Sequence, residues 1–290
     1  MPRLSFLPTI FRETLSPRRL PREPEPDLVM DDDEQVASYA HAGRIDGVMS
    51  ASYLFHSANI SETIHGCKTV VDLACGPATQ LGQVAQLNPD IEFLGIDLSS
   101  TMLDSAREHI ATLGLTNVRF MQGDITKIDL SSASADAVLS TMALHHLPTK
   151  ELLHACFGEI ARILRPQGAV YLTDFTRLKS LYSVLFFAYM NANAQPHIFT
   201  LDYERSLRAA FELGDFEEAA RARLPQYVKV YSTFLVPMLT AIRTRARNVD
   251  PTLKERFKAM RRALPRRYRA DLDDMRLFFK LNGLPSDPFR

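Results

Sequence analysis

Val70–Thr79 reads V-V-D-L-A-C-G-P-A-T. The β-branched and apolar residues of Thr69–Leu73 predict a short buried strand. A turn of small residues comes next, and a helix is expected from Gln80 to Leu87. Strand, small-residue turn and helix together let a ligand come close to the backbone, with Ala74, Gly76 and Ala78 as the small positions. Alone, such a turn is weak evidence.

The next segments of the chain strengthen it. Ile91–Ile96 (I-E-F-L-G-I) predicts a second strand closed by Asp97, and Ser99 or Ser100 caps a helix carrying Met102, Leu103 and Ala106. Val118–Gln122 predicts a third strand, closed by Gly123-Asp124. Ala135–Ser140 and Ala169–Asp174 predict a fourth and fifth, with a helix over Leu152–Leu164 between them. Short apolar strands alternating with helices define an α/β fold: a doubly wound, mostly parallel sheet covered on both faces. In that arrangement the C-terminal strand ends meet at one crevice. Asp97, about twenty residues after the turn, can accept hydrogen bonds from both hydroxyls of a ribose, and Asp124 from an adenine amino group.

Five blocks then match one family in order and spacing: V-V-D-L-A-C-G-P-A-T, F-L-G-I-D-L-S, M-Q-G-D-I, D-A-V-L-S-T-M-A-L-H-H-L-P and I-L-R-P-Q-G-A-V-Y-L-T-D. Over about Val70–Asp174 the chain resembles the class I S-adenosylmethionine-dependent methyltransferases. The resemblance implies S-adenosylmethionine as cofactor. Asp72, Ala74 and Gly76 would lie beside its methionine part, and Asp97 would hold the ribose. Asp124 and Ile125, after Gly123, would meet the adenine, with Leu98 and Met102 packed on the base. Thr141 and Met142 would form the floor. The usual three-glycine turn is reduced to Gly76 alone. A diphosphate needs those glycines for close approach, so the departure counts against a nicotinamide dinucleotide more than against a phosphate-free cofactor.

His145 and His146 come after the fourth strand, where an acceptor would sit. Either could act as a general base, having an ordinary pKa of about 6.5; equally, L-H-H-L-P could be a structural turn. Asp174 could orient an acceptor or cap a helix. Tyr39, His41 and Tyr53, ahead of the sheet, could close over the cofactor or pack in the core. The expected reaction is in-line transfer of a methyl group to a small-molecule acceptor. The same blocks also fit another use of the cofactor, intramolecular cyclisation that releases methylthioadenosine.

Four regions are expected around and including this core. Residues 1–30 form a Pro/Arg-rich disordered tail, 31–66 a helical N-terminal lid, 67–242 the catalytic domain (core 69–177) and 243–290 a basic helical C-terminal extension kinked at Pro265. Tyr227–Ile242 could supply the last strands. Leu201–Arg223 reads as helix interrupted at Gly214. The 290 residues carry 34 basic and 34 acidic side chains, a balance that argues against a dedicated nucleic-acid binder. A basic run from Arg243 to Arg269 is either a solvated face or a dock for an acidic carrier protein. Three cysteines without paired spacing give neither a disulfide framework nor a metal site, and no metal is expected. No apolar run is long enough to span a bilayer, so a cytoplasmic protein without a membrane partner is expected.

Overall fold

The computed structural model describes residues 4–17, 20–26 and 47–290. Its centre is a seven-stranded sheet. The strands are β1 (Thr69–Leu73), β2 (Glu92–Asp97), β3 (Val118–Gln122), β4 (Ala135–Thr141), β5 (Leu164–Phe175), β6 (Lys229–Ser232) and β7 (Leu239–Arg243). Their order is β3-β2-β1-β4-β5-β7-β6. The first five run parallel; β7 pairs antiparallel with both β5 and β6. The helices are α1 (Leu7–Leu15), α2 (Ser50–Ile64), α3 (Thr79–Leu87), α4 (Ser100–Thr112), α5 (Lys150–Ile163), α6 (Leu181–Tyr189), α7 (His197–Ala209), α8 (Leu213–Arg223), α9 (Pro251–Ala263) and α10 (Arg266–Leu281).

Strand periodicity divides the core in two. Val70 packs with Leu81, Val84 and Ile110 of α3 and α4, and with Ile60 and Ile64 of α2. Its neighbour Val71 faces the other side, with Phe157 and Ile160 of α5 and Phe216 of α8. Successive side chains point to opposite faces, so a strand such as β1, with Val70 and Val71 buried on opposite sides, needs helices on both. A third cluster joins Phe55 of α2 to Phe257 of α9 and to Leu272 and Phe279 of α10, fastening the C-terminal helices onto the domain.

The periphery departs from the sequence reading in two places. The tail expected to be disordered contains α1, whose buried Glu13 accepts hydrogen bonds from the backbone N–H groups of Lys179 (2.8 Å) and Ser180 (3.2 Å). Those donors lie at the start of α6 and have no partner inside that helix, so Glu13 satisfies them and docks α1. Composition alone gives no sign of so specific a pairing. The second departure concerns the break expected at Gly214. It falls instead between α7 and α8, where Glu212 and Asp215 form a reciprocal capping box that starts α8 anew.

The last strands do come from Lys229–Arg243, with Pro237 in the turn between them, and Pro265 separates α9 from α10. Much of the basic run is engaged internally. Arg243 is buried on Asn59, Arg256 donates to the Gln86 carbonyl, Arg261 pairs with Asp273, and Arg269 donates to the Leu264 carbonyl. The three cysteines are free thiols. Among the described residues no helix is long and apolar enough to cross a membrane.

The β1–α3 turn has glycine geometry with only one glycine. Ala74, Gly76 and Ala78 have φ of +53°, +53° and +57°, a region costing an L-residue roughly 1–2 kcal/mol. Ala74→Gly trades that strain for chain entropy and is expected to change stability by less than about 1 kcal/mol. Ala85→Gly, inside α3, should cost about 1–2 kcal/mol. Urea unfolding of the two variants tests the difference.

Candidate functional site

The crevice lies at the C-terminal ends of β1 to β4. Its wall includes Ala74, Gly76, Asp97, Leu98, Met102, Gly123, Asp124, Ile125, Thr141, Met142, His145 and His146, residues that the sequence singles out individually and the fold brings together. Tyr53 of α2 also lines it. Tyr39 and His41 lie outside the described residues. Asp72 and Asp174 do not reach the wall: both are buried behind it.

Asp97 fixes the shape of the turn. One carboxylate oxygen accepts the Gly76 N–H at 2.8 Å and the other the Ser99 N–H at 3.0 Å. Each oxygen keeps a further lone pair for a ligand. The Ser99 hydroxyl accepts from Met102 N at 3.0 Å and so caps α4. A β-carbon added at Gly76 would meet nothing within 4 Å, so the backbone there lies open to the crevice. Asp124 uses one oxygen to accept from the Thr126 N–H and hydroxyl, both at 2.7 Å, which leaves its other oxygen for a ligand.

Asp72 is 3% exposed. Among the described residues no side chain or backbone group donates to its carboxylate. Burial, reinforced by the charge of Asp97, raises its pKa from 3.8 to about 7. Burial raises Asp97 as well, against the pull of its backbone hydrogen bonds. Two close carboxylates with raised pKa make this end of the crevice favourable for a cation.

At the opposite wall Asp174 grips His145 twice. It accepts the His145 backbone N–H at 2.8 Å and contacts ring Nδ1 at 2.6 Å. Burial lowers the His145 pKa, but the charge and hydrogen bond of Asp174, with Glu25, outweigh it, and the net shift is upward. In the neutral ring this bond places the proton on Nδ1 and leaves Nε2 as the acceptor. Asp174 is therefore a positioning group, not a wall residue. The ring of His146 lies 4.4 Å from that of His145.

The segment 20–26 (L-P-R-E-P-E-P), which composition assigns to the tail, crosses this wall. Arg22 donates to the carbonyls of Ala209 (2.7 Å), His145 (3.0 Å), Leu147 (2.6 Å) and Pro148, and stacks over Phe211 at 3.9 Å. Glu25 then reaches His146 Nδ1 at 3.2 Å, with His145 Nε2 at 3.7 Å, and accepts from Ser206 Oγ at 2.9 Å. Prolines hold such a segment extended without backbone donors needing partners. Alternating Arg, Glu and Pro reads as solvated chain, so no local signal marks Glu25 as a site residue. Glu25, His145 and His146 offer ligand atoms all within 4.8 Å of one another. This set could hold a metal ion, although the sequence predicts none; equally it forms a hydrogen-bonded relay.

Comparison with known proteins agrees with this geometry. Residues 64–202 match the family model described as a methyltransferase domain. An arsenite methyltransferase of Halobacterium salinarum is 32% identical over 108 residues, covering 37% of this chain and 27% of that protein. A trans-aconitate 2-methyltransferase of Deinococcus radiodurans is 41% identical over 101 residues, 35% of each chain. This chain thus spans about a third or less of the length of these relatives. The structure of a SAM-dependent methyltransferase from Aquifex aeolicus superposes with a TM-score of 0.52 at 15% identity, over 74% of this chain and 98% of that one, a likeness of fold. Residues 64–202 thus carry the pattern of a methyltransferase domain, similar in sequence to those two methyltransferases and in fold to a SAM-dependent one.

The buried acid Asp72 makes stability depend on pH. Between about pH 4 and 7 the folded chain holds a proton at Asp72 that the unfolded chain has released. Stability from this group therefore falls as pH rises through that window and levels off above it. Asp72→Asn is expected to flatten this slope and to raise stability at pH 8 by about 1–3 kcal/mol. Thermal unfolding of both proteins from pH 5 to 8 tests this.

Proposed function

We propose that this protein binds S-adenosylmethionine in the crevice and transfers its methyl group to a small-molecule acceptor. The observation that carries the reading is the acid-lined turn: three left-handed residues at Ala74, Gly76 and Ala78, fastened by Asp97, with the carboxyl of Asp72 buried beneath them. An amino acid carrying cationic groups and no phosphate suits that end better than a diphosphate, which would meet carboxylates. In this reading Asp72 with Ala74 and Gly76 receives the amino-acid end. Asp97 accepts from the ribose hydroxyls; Asp124 and Ile125, after Gly123, meet the adenine, between Leu98 and Met102. Thr141 and Met142 form the floor next to the acceptor.

When bound, the cofactor supplies a methyl carbon whose bond to sulfur breaks, with its electrons kept on sulfur as S-adenosylhomocysteine, while the acceptor's lone pair forms the new bond. The chain's own task is alignment and exclusion of water. His145, held by Asp174, and His146, held by Glu25, are the groups beside the crevice that can take a proton from an acceptor hydroxyl or amine. Asp174 and Glu25 are positioning residues.

Calorimetry with S-adenosylhomocysteine tests the cofactor site. The native chain is expected to bind it, and Asp97→Ala to weaken binding at least about tenfold through two lost charged hydrogen bonds; unchanged circular dichroism serves as the folding control. Incubation with S-adenosylmethionine labelled in the methyl group, plus a small-molecule cell extract, should move label into extract compounds. Absence of binding by the native chain would overturn the reading. So would release of methylthioadenosine from the cofactor alone.

A further inference from the structure

Behind Met142 a second space adjoins the crevice. Met49, Met142, Phe175, Phe199 and Tyr203 border both, so the two are compartments with a common wall. The far walls come from elements outside the parallel sheet. These are Phe6 and Ile10 at the N-terminus, Phe187 and Met190 of α6 and its end, Val236 in the β6–β7 turn, and Phe278 of α10. The chamber has a cavity volume of about 170 Å³ and is open in part to solvent, room for the apolar body of a small molecule.

Its chemistry is one-sided. Aromatic rings and methionine thioethers dominate the lining, and thioethers adapt to irregular apolar shapes. Apolar surface in a concavity gains roughly 25 cal/mol per Å² when a ligand covers it. Among the described residues no lysine or arginine borders either space, while the carboxylates of Asp97 and Asp124 border the crevice. An anionic acceptor would lose its hydration against the apolar chamber walls and meet like charge at its reacting end in the crevice.

We propose that this chamber is the acceptor site, and that it takes an uncharged, mainly apolar molecule whose nucleophilic end passes Met142 into the crevice. The inference rests on the methyl-transfer reading above. The chamber supplies the body of the acceptor with burial, and the histidine wall supplies its reacting end with a polar partner.

Binding to the full chain tests this. With S-adenosylhomocysteine present, calorimetry is run with 1-decanol, 2-naphthol, decanoate and trans-aconitate. At least one neutral probe is expected to bind tenfold or more tighter than either anion. Val236→Trp, which fills the chamber, and Met190→Glu, which places a charge on its wall, are each expected to weaken that probe at least tenfold. Both should leave S-adenosylhomocysteine affinity unchanged, which also shows that the variants are folded. Equal or tighter binding of the anions overturns the inference, as does neutral-probe binding that both variants leave intact, or its absence in the native chain. Failure of the native chain to bind S-adenosylhomocysteine instead overturns the cofactor reading beneath it.

Discussion

The carboxylate of Asp97 ties the crevice together. It ends β2, yet its two oxygens accept from Gly76 in the turn after β1 and from Ser99 at the start of α4. Two adjacent strand ends are thus locked to each other by charge-assisted hydrogen bonds in a mostly buried setting, where such bonds are strong. The lock holds a turn in which Ala74, Gly76 and Ala78 all lie in the left-handed region, a conformation that persists only when its surroundings over-determine it. The same carboxylate adds to the rise that burial gives the pKa of Asp72. One side chain therefore sets both the shape and the electrostatics of this end of the site.

The opposite wall is built on a different principle. Leu144–His146 is a single short helical turn with little stability of its own. Asp174 supports it from the end of β5 and Arg22 from the extended segment 20–26, the latter by collecting carbonyl oxygens that end the turn and α7. The histidine rings are consequently held by a carboxylate each, Asp174 for His145 and Glu25 for His146. Ring orientation and tautomer are set by those partners. The acceptor chamber extends the same logic outward: the sheet provides the reacting end, and added elements at both chain ends provide the shape.

How much of this is legible in the sequence depends on the range of each interaction. The strands β1 to β5 and the residues Ala74, Gly76, Asp97 and Asp124 emerge from local pattern, because strand periodicity and turn chemistry act over a few residues; Met142 comes only from the family resemblance. Asp72, expected beside the cofactor, lies buried beneath the turn. Asp174, expected to orient an acceptor or to cap a helix, holds His145. Glu25, Arg22 and Glu13 carry no local signal: each acts on backbone or rings more than a hundred residues away in sequence.

The sequence by itself determined the doubly wound architecture, because short, mostly apolar strands alternating with helices require two covering layers, and its five blocks carry the likeness of residues 64–202 to a methyltransferase domain. Only the tertiary structure decided what surrounds the reacting centre. Met142, Phe187, Val236 and Phe278 border one apolar chamber, and Glu25 meets a histidine pair, through long-range packing. Those contacts are fixed by the shape of the assembled core, and no pattern of neighbours along the chain encodes them.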